Sequence, residues 1–339
     1  MRNAIRILPI FLGLVAAANA LAATQITVYT AATEVEALRI GRAFTAGHPE
    51  IDIRWVRNSA DNILGQLRLE RDQPKADVVW GVPASALVDL AAAGFFQPYA
   101  PKGFEKLDRR FSDPLTPPRW LGLRAWASAL CINPDALAAE KLKKPARWGD
   151  LLDPAYWDRI LGLDPRTTRT GFMAVAGWFS LWGDAGGWRY MEGLHRNIAA
   201  YMRSGNSPCD LVARGEYPIG ISYAYRAAKL QAKGKPIEVI VPGDGVGWDV
   251  EAVAIVDGTR YAEAARQFVD WSVGPDAMGL QARGFGILAL SAAAPSPRFY
   301  PEKIEERLVP MDPATVAGSR ARILSEWRIR FGAKAEPGH

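Results

Sequence analysis

Apolar and polar positions change period several times along this chain, and the changes outline its elements. Ile26 and Val28 alternate with polar neighbours as far as Thr30, the pattern of a short strand. Glu34 to Ala46 follows, with Val35, Leu38 and Phe44 at helical spacing. Ile51, Ile53 and Trp55 alternate again. Asn62 to Arg71 then reads as a helix, Ala76 to Trp80 as a buried strand, and Ala84 to Ala93 as a helix stopped by Gly94. Strands that alternate with helices predict an α/β domain whose parallel sheet is covered on both faces. Ligands of such sheets gather at the carboxyl ends of the strands. Those ends carry Tyr29 to Ala32, Arg57 to Ala60 and Trp80 to Ser85, loops of small, hydroxyl-bearing or aromatic residues that suit recognition more than catalysis.

A Pro-rich connector, Pro114 to Pro118, separates this region from a strand-like run, Trp120 to Asn133, that ends at an Asn-Pro breaker. A second α/β region runs from about Pro134 to Pro242. Trp248 to Val256 then returns as an alternating strand, and helices from Tyr261 to Ser272 and from Ala317 to Phe331 follow. This order predicts two lobes joined by two crossing strands, Trp120 to Asn133 and Trp248 to Val256, with a ligand cleft at the hinge. The expected division places residues 23–127 and 252–332 in lobe 1, 128–251 in lobe 2, and 333–339 in a flexible polar tail.

Residues 1–22 read as an export signal. Arg2 and Arg6 precede the apolar run Ile7 to Ala17, and small residues follow at Ala18-Asn19-Ala20. The run is shorter than the roughly 20 residues a bilayer crossing needs. A protein acting in a periplasm-like space is expected. The formal charge of +5 is spread without a basic stripe, which excludes a nucleic-acid reading. The two cysteines, Cys131 and Cys209, suit one disulfide in an oxidising compartment, worth about 4 to 5 kcal/mol on the chain-entropy model; two separate buried thiols are the alternative.

Catalytic chemistry is hard to assemble. The three histidines, His48, His195 and His339, lack metal-ligand spacing, and there is no nucleophile elbow, Walker loop or Cys-x-x-Cys. Gly243-x-Gly245-x-Gly247 runs into a strand, so it reads as a hinge connector. No catalytic residue, metal or cofactor is expected. Binding chemistry is richer. Thr168, Arg169, Thr170 and Gly171 stand before the helical run Phe172 to Trp182, where hydroxyls, free N–H groups and the helix dipole favour an anion. Ordinary capping by Thr168 or Thr170 is the plainer explanation. Ser204 and Ser207 form a second loop of this kind, and Thr30 and Ser59 supply hydroxyls from the first lobe. Strand alternation aims Asp249 and Glu251 at one face, ready for an ammonium or for pairing with an Arg. Trp80, Tyr223, Tyr225 and Trp248 are candidate cation–π walls, or simply hinge packing.

Seven stretches carry a family resemblance: Thr27-Val28-Tyr29-Thr30-Ala31, Ala76-Asp77-Val78-Val79-Trp80-Gly81, Gln97 to Gly103, Thr170-Gly171-Phe172, Gly215 to Ser222, Tyr225-Arg226-Ala227 and Gly247-Trp248-Asp249. Through them the chain resembles the extracytoplasmic solute-binding proteins of ABC importers, in the group that includes ferric-ion binders. It is most similar to the 2-aminoethylphosphonate-binding proteins. The resemblance implies a type II, two-lobed Venus-flytrap fold, a monomer in the periplasm, a zwitterionic phosphonate in the cleft, and delivery to an inner-membrane ABC permease. The family's phosphonate loop reads Ser-Ser-Gly-Thr-Gly, where this chain has Thr167-Thr168-Arg169-Thr170-Gly171. Arg169 replaces a glycine, which distorts the loop, adds charge to the anion site, or retunes the ligand. Ferric iron, organophosphates such as sugar phosphates, and an enzyme acting on phosphonates or phosphate esters are the competing readings.

Overall fold

The computed structural model describes residues 23–290 and 296–336; the expected export signal and the last residues of the expected tail lie outside them. In chain order the elements begin with β1 (Thr24–Thr30), α1 (Glu34–Gly47), β2 (Ile51–Arg57), α2 (Ala60–Leu69), β3 (Val78–Pro83) and α3 (Ala84–Ala92). The long strand β4 (Leu121–Ile132) leads to α4 (Pro134–Ala139), β5 (Ile160–Leu163), α5 (Arg169–Asn197), β6 (Ile198–Met202), α6 (Ser207–Ala213), β7 (Ile219–Tyr223), α7 (Ala224–Ala232) and β8 (Glu238–Ile240). The chain returns through β9 (Trp248–Ile255), α8 (Ala262–Ser272), α9 (Pro275–Ala282), β10 (Ile287–Leu288) and α10 (Pro313–Phe331).

The strands follow the order β2-β1-β3-β9-β4-β7-β5-β6. The expected parallel pairing holds for β1 with β2 and β3, and for β5 with β6 and β7. At the centre, β9 and β4 are antiparallel to their neighbours. Strand β4 makes two lobes out of one ladder: Leu121 to Ala127 pair with β9, and Ser128 to Ile132 with β7 and β8. This is the two-lobed α/β architecture of type II binding proteins.

The return crossing lies before Trp248, because Trp248 already pairs with Ala127. Glu251 therefore belongs to the first lobe's sheet, and the division expected at residue 251 moves toward Gly247. There the backbone of α5 touches the connector: a Cβ on Gly247 would stand 2.0 Å from the Met173 carbonyl oxygen, and one on Gly177 2.5 Å from the Gly247 nitrogen. Only glycine fits at both positions.

The helix faces needed correction. Val35 and Leu38 are exposed; of the three apolar positions named for α1 only Phe44 is buried, with Ala37, Ile40 and Gly41. Helix α5 extends beyond the expected run and is interrupted at Gly183, whose φ of 67° breaks the helical path. The segment after residue 303 contacts both lobes. Helix α10 packs on α3 and Glu305 accepts from Arg110 in lobe 1, while Leu308 bridges to Val246, Trp327 packs on Tyr201, and Phe331 packs on Trp188 and His195. The tail expected to be flexible is docked as far as residue 336: Lys334 donates to the carbonyls of His195 and Ile198, and Glu336 exchanges hydrogen bonds with Tyr201 and Arg203. Backbone groups at the end of α5 and along β6 would otherwise lack these partners.

Cys131 on β4 and Cys209 on α6 are joined in a disulfide with 5.3 Å between Cα atoms, buried in a small second-lobe core with Val212, Ala224, Ala227 and Val239. Among the described residues no helix is long and apolar enough to cross a membrane.

Candidate ligand-binding cleft

A cavity of about 530 Å³ opens between the lobes. Its floor is a tile of cross-strand pairs. Arg124 lies opposite Glu251 and Trp126 opposite Asp249 on the antiparallel β4 and β9, and the period of two sends all four side chains to one face. Lobe 1 adds Thr33, Val35, Glu36 and Arg39 from the start of α1, with Arg283 and Phe285 after α9. Lobe 2 adds Arg169 and Met173 from α5, Asn206, and Tyr223, Tyr225, Arg226 and Lys229 where β7 turns into α7.

Charge dominates this lining: six Arg or Lys side chains against three carboxylates. Arg124 is buried and holds two acids. Its Nε and Nη2 donate to Glu251 Oε2 at 2.9 and 2.8 Å, and its Nη1 lies 2.5 Å from Glu36 Oε1. It also stacks over Trp126 at 4.6 Å. Burial alone would lower the Arg124 pKa, but the two carboxylates outweigh it and the guanidinium stays charged. Arg226 pairs with Asp210, and Arg169 reaches across the cleft to Asp61 of α2 at 2.7 Å.

Asp249 accepts from Ser85 Oγ at 2.5 Å and from the Val250 amide at 2.8 Å. Enclosure pushes both the Asp249 and Glu251 carboxyls above their ordinary range, and neighbouring donors and arginines offset this only in part. Trp126, Tyr225 and Tyr223 form an aromatic wall, with ring centroids 4.6 and 4.9 Å apart in turn. Burial raises both phenols, so they are neutral donors at physiological pH. Tyr225 uses its hydroxyl on Asn206 Oδ1 at 3.2 Å.

Of the residues singled out from the sequence, Arg169, Tyr223, Tyr225, Asp249 and Glu251 line the cavity. Most of the others have local duties. Thr168 caps α5 by accepting from the Gly171 amide, and Gly171 is packed so closely that a Cβ would lie 2.6 Å from Thr168 Oγ1. Thr170 is buried behind Gly205, and its Oγ1 has no hydrogen-bond partner among the described residues. Ser204 is exposed, with its carbonyl accepting from the Ser207 amide at the first turn of α6. Thr30 is buried and accepts from the Ala32 amide, and Ser59 caps α2. Trp80 lies in the first-lobe core against Trp55 because β3 is covered on both faces. Trp248 donates to the Val309 carbonyl and packs on Phe111, a hinge contact. Arg169 opens α5 with ordinary backbone angles, so of its three possible effects loop distortion is absent, and added charge or a retuned ligand remains.

Arg124, Trp126, Glu36, Arg39, Lys229 and Arg283 escaped the sequence reading. Arg124 had a readable signal, a lone cation in an apolar strand.

The family model described as bacterial extracellular solute-binding protein matches residues 23–279. A probable ABC transporter periplasmic-binding protein of Sinorhizobium fredii is 30% identical over 290 residues, covering 80% of this chain and 76% of that one. A thiamine-binding periplasmic protein of Brucella abortus is 25% identical, covering 79% and 80%. Among solved structures, AfuA of Actinobacillus pleuropneumoniae with bound fructose-6-phosphate superposes with a TM-score of 0.77 at 24% identity, covering 91% of this chain and 99% of that one. Iron-bound HitA of Pseudomonas aeruginosa gives 0.77 at 18% identity, covering 89% and 99%.

Proposed function

This chain belongs to the bacterial extracellular solute-binding protein family, and we propose that its cleft captures a small organic phosphate or phosphonate for an ABC importer. Family membership implies a small-molecule ligand and a permease partner. On our reading the protein works as a periplasmic monomer that closes on its ligand and returns it unchanged.

The observation that carries the proposal is the cationic excess of an interlobe cavity lined on one side by aromatic rings. A dianionic head group is attracted by such a lining, and domain closure strengthens the attraction by excluding water. The same excess disfavours a cation such as thiamine, the ligand named for the Brucella protein. It also opposes bare ferric iron. Tyr223 and Tyr225, the phenols available to iron, are held neutral by burial.

Two finer readings remain within the class. A sugar phosphate, as bound by AfuA, uses the volume and the aromatic wall. 2-Aminoethylphosphonate requires an acid for its ammonium, and Glu251 is the candidate: its side chain keeps 19% of its exposure while sharing Arg124 with Glu36. The geometry favours the first reading, because Arg124 already claims the carboxylate.

A thermal unfolding screen tests the class. A ligand at 100 times its Kd stabilises the folded state by about 2.7 kcal/mol. Fructose 6-phosphate or 2-aminoethylphosphonate should raise Tm by several degrees, with fructose, thiamine and ferric citrate inert. A rise with thiamine or ferric citrate alone would discard the proposal.

A further inference from the structure

We propose that the anionic head of the ligand docks on Arg39, Lys229 and Arg283, and not on the hydroxyl loops that open α5 and α6. This placement rests on the organophosphorus reading above.

The six cations that line the cavity fall into two sets. Three are paired within the protein: Arg124 to Glu36 and Glu251, Arg169 to Asp61, and Arg226 to Asp210. An anion that took Arg124 would first have to break a buried pair, and one that took Arg169 or Arg226 would give up a more exposed one. The other three have no close acid of their own among the described residues. The side chains of Lys229 and Arg283 have no ion pair or hydrogen bond with another described residue. Arg39 has only a 4.0 Å approach to Glu36, which Arg124 already holds at 2.5 Å, and its buried Nε has no acceptor among the described residues.

Arg39 and Arg283 come from lobe 1 and Lys229 from lobe 2, so an anion among them draws the two lobes together. By contrast, Thr168, Thr170, Ser204 and Ser207 are not among the residues that line the cavity.

The organic part of the ligand then lies along Trp126 and Tyr225 toward Asn206 and Tyr223. This selects phosphate esters that also reach the aromatic wall, such as a hexose phosphate, over inorganic phosphate.

Calorimetric titration with fructose 6-phosphate tests the placement on wild type and variants. Lys229→Ala and Arg283→Ala, both at exposed positions, should each weaken binding roughly tenfold or more, the loss expected for one charge-assisted hydrogen bond. Lys229→Arg and Arg283→Lys should restore most of it. Thr170→Val and Ser204→Ala should bind as wild type does. Wild-type affinity in both alanine variants, with strong loss in Thr170→Val or Ser204→Ala, overturns the placement and leaves the functional reading intact. If the wild type binds neither fructose 6-phosphate nor 2-aminoethylphosphonate, the functional reading fails and the placement with it.

Discussion

Removing the Arg124 guanidinium would strand Glu36 and Glu251 beside each other in an enclosed site. Breaking a buried pair by deleting one partner costs about 3–5 kcal/mol, so Arg124→Met should lose that much in urea unfolding at pH 7. A loss under about 1 kcal/mol would mean the two acids are neutral or well hydrated. Asp113 offers a pH test. Burial raises its carboxyl, but two Arg119 guanidinium contacts, at 2.6 and 3.2 Å, and the Arg119 amide outweigh burial and bring it below the ordinary range. A depressed carboxyl contributes stability that is complete above its unfolded pKa of about 3.9 and is lost as pH falls through the folded value. The stability gap between wild type and Asp113→Asn should therefore be flat from pH 5 to 8 and shrink below about pH 4. A gap that widens in acid would contradict the assignment. Single residues were read unevenly. Glu251 drew notice as a lone acid in an apolar strand, with pairing to an arginine as one of its two fates. Arg124 in Leu121-Gly122-Leu123-Arg124-Ala125 carries the same signal, and β-register makes the two partners. The hydroxyls of Thr30, Ser59 and Thr168 bond local backbone amides, and in sequence such a side chain looks like an anion-binding one.

At the scale of elements, the glycine contact between α5 and the connector into β9 fixes how lobe 2 meets the return crossing. Gly247→Ala should cost about 3 kcal/mol, the upper end for overpacking, since its Cβ would meet the rigid Met173 carbonyl. Gly65→Ala, in α2 with nothing within 4 Å of the new Cβ, should instead stabilise by roughly 0.5–1 kcal/mol. Thermal unfolding of the two variants checks both signs; a Gly247→Ala protein as stable as wild type would remove the contact from the account. Alternation and helical periodicity located most elements of the first lobe, with shifted ends. Which face of α1 is buried was not legible. Val35 faces the cleft, and an apolar ligand-facing residue is indistinguishable from a core one by spacing alone. Antiparallel β4 and β9 at the centre were likewise hidden, since a βαβ pattern says nothing about strands that arrive from another lobe.

For the whole molecule, one ladder threads both lobes and the C-terminal helix contacts both, packing on α3 and on α5. Arg169 and Asp61 are opposed across the cleft. Asp61 is 81% exposed at its side chain, so the pair is worth at most about 1 kcal/mol. Asp61→Ala should shift the ligand-free protein toward open forms and speed ligand release by no more than about fivefold, as stopped-flow and small-angle scattering would show. A larger change would make the pair a principal clasp. The fold was legible through the resemblance and the strand-helix order together. The ligand was not, because the charges that select it come from α1, α7 and the turn after α9, distant in sequence and ordinary in pattern. The most direct test of the central claim is a calorimetric titration of ligand-stripped protein with fructose 6-phosphate and 2-aminoethylphosphonate, each against its analogue lacking the phosphorus group. Binding that requires the phosphate or phosphonate is the predicted result. Equal binding of fructose or ethylamine, or no heat with either phosphorus compound, would contradict it.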